Sequence, residues 1–117
     1  MRLLCICSLL LISAVATGAS VVRTLDAPDT NISGLAFGDG KLWAVDGGTS
    51  MIYGLDPVSG SVETSFYATH SSVPSYSPGG LAFYNNNLFA SFFYSTSSTY
   101  IYWYTTAGAN AGYDILC

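Results

Sequence analysis

The sequence predicts an all-β chain made of two copies of one four-stranded antiparallel unit, and three observations carry that prediction. Aromatic residues make up 15% of the chain and charged residues only 9%, with Ser and Thr abundant beside them, a mixture that suits pleated surfaces better than helices. Ser33–Asp46 aligns without a gap on Gly79–Phe92. Turn-forming residues interrupt the apolar runs at the spacing of short strands. With 117 residues there is room for one small domain at most.

The internal repeat sets the elements in order. Gly34, Leu35, Ala36, Phe37, Leu42 and Ala44 return as Gly80, Leu81, Ala82, Phe83, Leu88 and Ala90, an offset of 46, while aromatic Trp43 meets aromatic Phe89. Ile52-Tyr53 returns as Ile101-Tyr102 at an offset of 49, which places three extra residues after Phe92. Val22-Arg23-Thr24 resembles Val62-Glu63-Thr64 at an offset of 40, which places six extra residues between Thr64 and Gly80.

In the first unit, Ile32–Phe37 reads as a strand, Gly38-Asp39-Gly40 as a turn with glycine free to take positive φ, and Leu42–Val45 as a second strand. Asp46–Ser50 is a loop, Met51–Leu55 a third strand, Asp56–Gly60 a proline-initiated turn and Ser61–Phe66 a fourth strand. The second unit repeats this as Gly80–Phe83, Leu88–Phe93, Tyr100–Tyr104 and, more weakly, Tyr113–Leu116. Ahead of both, Val21–Leu25 reads as an orphan fourth strand.

Four short strands per period of roughly 40 to 50 residues is the signature of a β-propeller blade. Gly34-Leu-Ala-Phe, Leu42-Trp-Ala-Val-Asp46 and Ile52-Tyr-Gly-Leu-Asp-Pro57 resemble the repeat of NHL-type and glutamine-cyclotransferase-like propellers, over nearly all of the chain after its leader. The second unit departs from that pattern, with Phe92 where the first has Asp46 and Tyr104-Thr105-Thr106 where it has Leu-Asp-Pro. Two blades cannot close a ring that typically takes ~4 to 8, and both broad apolar faces would stay wet. The chain is therefore expected to be an incomplete propeller: a segment of a longer protein, a truncated reading frame, or a protomer that completes its ring with other copies.

The first residues set the expected compartment. Arg2 precedes an apolar run, Leu3–Ala16, and then small residues through Ala19, the form of a cleavable signal peptide over residues 1–19, with cleavage between Ala16 and Ser20. The run is shorter than the ~20 residues of a membrane-spanning helix. Residues 20–117 are then a secreted or extracytoplasmic partial propeller, repeat one at about 32–66 and repeat two at about 79–117. Cys5 and Cys7 leave with the leader, so Cys117 remains as an unpaired thiol. Arg23 and Lys41 face seven acidic residues, a formal charge of −5 after cleavage, so nucleic acid and anionic membrane surfaces are not expected partners.

Function would sit on the loops. In such a blade the connections from strand two to three and from strand four to the next blade emerge at one end, and those are the two that vary here. The candidates there are His70 and Tyr76 in the long connection, Tyr94 in the extended one, and Asp46 before Gly47-Gly48. Asp46 is also placed to accept hydrogen bonds from its own loop. Trp43 and Trp103 suit blade packing better than ligand stacking. Asn31-Ile32-Ser33 is a glycosylation sequon. With one His and one remaining Cys, a His/Cys metal site cannot form, and no cofactor is expected.

The expected role is a non-enzymatic scaffold or binding surface for protein or glycan, completed by missing blades or other copies. The alternative implied by the resemblance is a fragment of a propeller enzyme of glutaminyl-peptide cyclotransferase or lactonase type. Asp46 is the one position able to stand in for the channel acid of such cyclases, and Ser33 stands where their motif has Gln.

Overall fold

The computed structural model describes residues 19–68, 77–95 and 98–116. Residues 1–18 of the leader expected over 1–19, together with His70, Tyr76 and Cys117, lie outside the described residues. Eight strands form two sheets, β1 (Ile32–Gly38), β2 (Lys41–Asp46), β3 (Met51–Leu55) and β4 (Val62–Tyr67) in one, and β5 (Ser77–Tyr84), β6 (Asn87–Ser95), β7 (Ser98–Thr105) and β8 (Asn110–Leu116) in the other. Each is a four-stranded antiparallel meander in sequence order. No helix forms among the described residues.

The turns explain why these residues pair in this register. Asp39 and Gly40 both take positive φ, 54° and 68°, and so do Asn85 and Asn86, 48° and 61°. Two consecutive residues of that kind make the tight hairpin whose twist matches the flanking strands, and Asp, Asn and Gly are the residues that tolerate it. The register then runs Phe37↔Leu42 and Leu35↔Ala44 in one sheet, Phe83↔Leu88 and Leu81↔Ala90 in the other.

The repeat extends to irregularities that no residue pattern announces. The β1–β2 ladder slips between Ile32 and Gly34, and the β5–β6 ladder slips at the same repeat position, between Pro78 and Gly80. The β3–β4 ladder shifts between Gly54 and Leu55, and β7–β8 between Trp103 and Tyr104. Such bulges bend a strand and sharpen its twist, so both sheets curve alike.

Sequence expectation and structure differ at several places, and β5, for one, starts at Ser77, ahead of the expected Gly80. Residues 21–25 form no strand. A lone segment has no neighbouring backbone to pair with, and Val21 and Val22 are instead 84% and 92% exposed. β8 starts at Asn110, ahead of the expected Tyr113, because Asn110 and Gly112 pair with Tyr104 and Trp103 despite their weak β preference. The three extra residues after Phe92 extend the ladder through Phe93↔Thr99 and Ser95↔Ser98, so Tyr94 lies in β6 and not in a loop.

The sheets stack face to face. Trp43, Val45 and Ile52, with Phe66 beside them, pack against Leu88, Ala90, Phe92, Tyr102 and Tyr104 in a single buried cluster. Trp43 is fully buried and its indole Nε1 donates to the Gly38 carbonyl at 3.0 Å, so the ring carries no unpaired polar atom into the core. Phe66 bridges the sheets between Trp43 and Tyr104, with ring centroids 6.5 and 6.1 Å away. Close approach of the innermost strands requires glycine, since a Cβ on Gly34 would lie 2.8 Å from the Leu81 backbone nitrogen. Ser33 Oγ ties the same seam by donating to the Pro78 carbonyl at 2.8 Å.

One group in this interface is poorly matched. The Tyr104 hydroxyl is buried without a hydrogen-bond partner among the described residues, and burial pushes its phenol pKa up. At the equivalent repeat position the first sheet has Leu55. Tyr104→Phe is expected to stabilise the chain by about 1 kcal/mol, because it removes an unsatisfied polar atom and keeps the ring. Urea unfolding should show a raised midpoint at unchanged slope.

Candidate functional site

Antiparallel alternation puts the β2–β3 connection and the chain leaving β4 at one end of the sheets, and the hairpin turns at the other. The Ala68 N–H donates to the Ser50 carbonyl at 2.9 Å, which holds the two connections side by side. Asp46, the last residue of β2, organises this end. It is 1% exposed.

Every hydrogen bond to its carboxylate comes from a neighbouring loop. Oδ1 accepts the backbone N–H groups of Gly48 at 2.8 Å and Thr49 at 2.7 Å, together with the Thr49 hydroxyl at 3.1 Å. Oδ2 accepts the Asn31 N–H at 2.9 Å, and the Asn31 carbonyl in turn accepts the Gly47 N–H at 2.9 Å. Burial pushes the Asp46 pKa up, but the donors at Thr49, Asn31 and Gly48 outweigh it and hold the carboxyl below its usual range. Chemically this is an anion fixed in place to shape a loop. Asp56 does the same at the opposite end, where its carboxylate accepts the Val58 and Ser59 N–H groups at 2.8 and 2.7 Å.

A second polar link was not legible in the sequence. Tyr53 donates its hydroxyl to Asp29 Oδ2 at 2.8 Å, which, with burial, pushes the phenol pKa up to about 12. Asp29 follows a proline in an irregular stretch, and nothing in its neighbourhood singles it out from the other turn aspartates. Together with the Asp46–Asn31 bond it pins residues 29–31 across the first sheet. The exposed amide of Asn31 therefore sits on a fixed backbone at the loop end.

The structure thus brings Asp46 and Asn31 together. Tyr94 belongs to the β6 end of the second sheet, and His70 and Tyr76 fall in the connection outside the described residues. Among the described residues no group of three or more His, Cys, Asp or Glu side chains is placed to hold a metal ion.

Two four-stranded antiparallel meanders, stacked through repeat-related positions and carrying their variable loops at one end, resemble blades of a β-propeller. The PQQ-bound aldose sugar dehydrogenase of Streptomyces coelicolor superimposes with a TM-score of 0.59 at 20% identity, over 82% of this chain and 32% of that one. The chain thus spans about a third of that protein's length, and at this identity the likeness speaks to the fold alone. The computationally designed Ika4 protein superimposes with a TM-score of 0.45 at 12% identity, over 86% of this chain and 79% of its own. No protein-family model and no curated protein matches the sequence.

Proposed function

We propose that this chain is an exported, non-enzymatic segment of a larger propeller assembly, a scaffold that presents a binding surface for protein or glycan at its loop end. The observation that supports membership of a larger assembly is the contrast between the two sides of the first sheet. One side is sealed against the second sheet, while Leu35 and Phe37 on the other are 59% and 65% exposed. Large apolar side chains in a continuous patch are what a chain presents to a partner. Asp46, the residue the enzymatic alternative draws on, has both oxygens engaged by loop donors, which favours the scaffold.

The test is the native mass of the exported protein recovered from its source without denaturant. An assembly well above the 12.3 kDa of the chain supports the reading. A free compact monomer overturns it. In the same material, mass spectrometry reports whether the leader ends between Ala16 and Ser20 and whether Asn31 carries a glycan. Tyr76→Ala with Tyr94→Ala tests the loop end, since unchanged binding of a protein or glycan ligand would move the surface elsewhere.

A further inference from the structure

Three tyrosines meet on one face of the second sheet. Tyr102 of β7 stands directly across the ladder from Tyr113 of β8, and their rings stack with centroids 5.4 Å apart and planes 25° from parallel. Tyr100, two residues earlier on β7 and so on the same face, stacks on Tyr102 at 6.2 Å and 29°. This face is the one turned to the first sheet, since Tyr102 belongs to the buried cluster between the sheets and Tyr100 packs against it. The surroundings of the stack therefore do not depend on what covers the open faces.

The pair is peculiar to the second repeat. At the equivalent register the first sheet sets Tyr53 across from Ser65, with Met51 in place of Tyr100. The Tyr53 hydroxyl is given to Asp29 instead. Packing accounts for Tyr102, which is 1% exposed, but not for a second phenol at Tyr113, which is 54% exposed. One ring of the pair thus reaches solvent while it lies against a ring fixed in the core.

Cross-strand neighbours on one face are held side by side by the ladder itself. Near-parallel rings at this separation are offset, so that ring edges overlap rather than ring centres, and the carbons ortho to a phenol oxygen lie on such edges. The strand that carries Tyr113 also has the most to gain from a covalent tie. β8 is the outermost strand of its sheet, with β7 beside it, and Tyr113, Asp114 and Ile115 are all exposed.

We propose that Tyr102 and Tyr113 form a site of oxidative cross-linking, where a haem peroxidase using hydrogen peroxide joins the two rings and ties β8 to β7. Tyr113, the accessible ring, gives up one electron and its phenolic proton. A hydrogen atom then passes to it from Tyr102, and Tyr113 is oxidised a second time. The two phenoxyl radicals combine through one carbon–carbon bond between ortho positions. The hydrogens on those two carbons move to the oxygens, which restores both hydroxyls. Two C–H bonds are lost in all, and the two electrons and two protons reduce one hydrogen peroxide to two waters. Coupling within the chain outruns coupling between chains because the ladder holds the partners at a high effective concentration.

The test treats the full chain with a haem peroxidase and hydrogen peroxide, reads dityrosine fluorescence, and maps the link by mass spectrometry after pepsin digestion. The expected product is a monomer lighter by two hydrogens, linked between Tyr102 and Tyr113, with a yield per chain that holds over about a hundredfold dilution. Absence of dityrosine overturns the proposal. Links that form mainly between chains, or at Tyr67 and Tyr84, which are 63% and 74% exposed, overturn it as well, since exposure alone would then decide. Tyr113→Phe keeps the ring at an exposed position and should lower the product within the chain by about tenfold or more, while Tyr84→Phe should leave it unchanged. An equal yield from Tyr113→Phe overturns the assignment. In the linked chain, hydrogen exchange at residues 113–115 should slow by about tenfold or more, and unchanged exchange overturns the tie between the strands.

Discussion

Gly34→Ala is expected to lower stability by about 3 kcal/mol, whereas Gly80→Ala, at the same position of the repeat, should change it by less than about 1 kcal/mol. The difference comes from what lies opposite. A Cβ on Gly34 would stand 2.8 Å from the Leu81 nitrogen and 3.0 and 3.1 Å from the Gly80 backbone. Backbone does not rotate out of the way, so the innermost strands must separate and the cluster around Trp43 must loosen with them. On Gly80 the same methyl group would meet only the Ser91 Oγ, at 3.3 Å. Paired urea titrations of the two variants measure the contrast, and equal losses would mean that the seam between sheets is not what requires glycine.

Asp46→Ala should cost about 3 to 5 kcal/mol, and Asp46→Asn about half as much. Alanine leaves the N–H groups of Asn31, Gly48 and Thr49 without their acceptor at a site that is 1% exposed. Asparagine keeps one oxygen for Gly48 and Thr49, but turns an amide N–H toward the donor of Asn31. The pH dependence follows from the lowered pKa of the folded carboxyl. Its stabilisation is fully present above the unfolded value of about 4, and it is lost as pH falls through the lower folded value. Wild type should therefore lose stability on acidification through that window more steeply than Asp46→Asn. Parallel acid-unfolding slopes for the two proteins would contradict the assignment.

Tyr104→Phe, placed against these losses, is expected to move stability the other way. The three residues share a feature: each acts through a group whose neighbour belongs to another element. Gly34 answers to β5, Asp46 to residues 31, 48 and 49, and Tyr104 to a core it lines without a bonding partner among the described residues.

The strands and their order were legible because periodic apolar runs, paired glycine and asparagine turns and a gapless internal match depend on residues close together in the chain. Asp39-Gly40 and Asn85-Asn86 made both hairpins readable from local chemistry alone. Asp46 was legible as a loop-organising acid for the same reason, two residues ahead of the N–H it accepts. What the sequence by itself determined, then, was the repeat, the eight strands and the end on which the variable connections lie. Only the tertiary structure decided which face of each strand is sealed and which is open, because that depends on whether Leu35 and Leu81, alike in sequence, have a sheet opposite them. It also decided that residues 21–25 lie along the first sheet without becoming a strand. An extended segment is a strand only when another backbone offers it hydrogen bonds, and no local pattern carries that information.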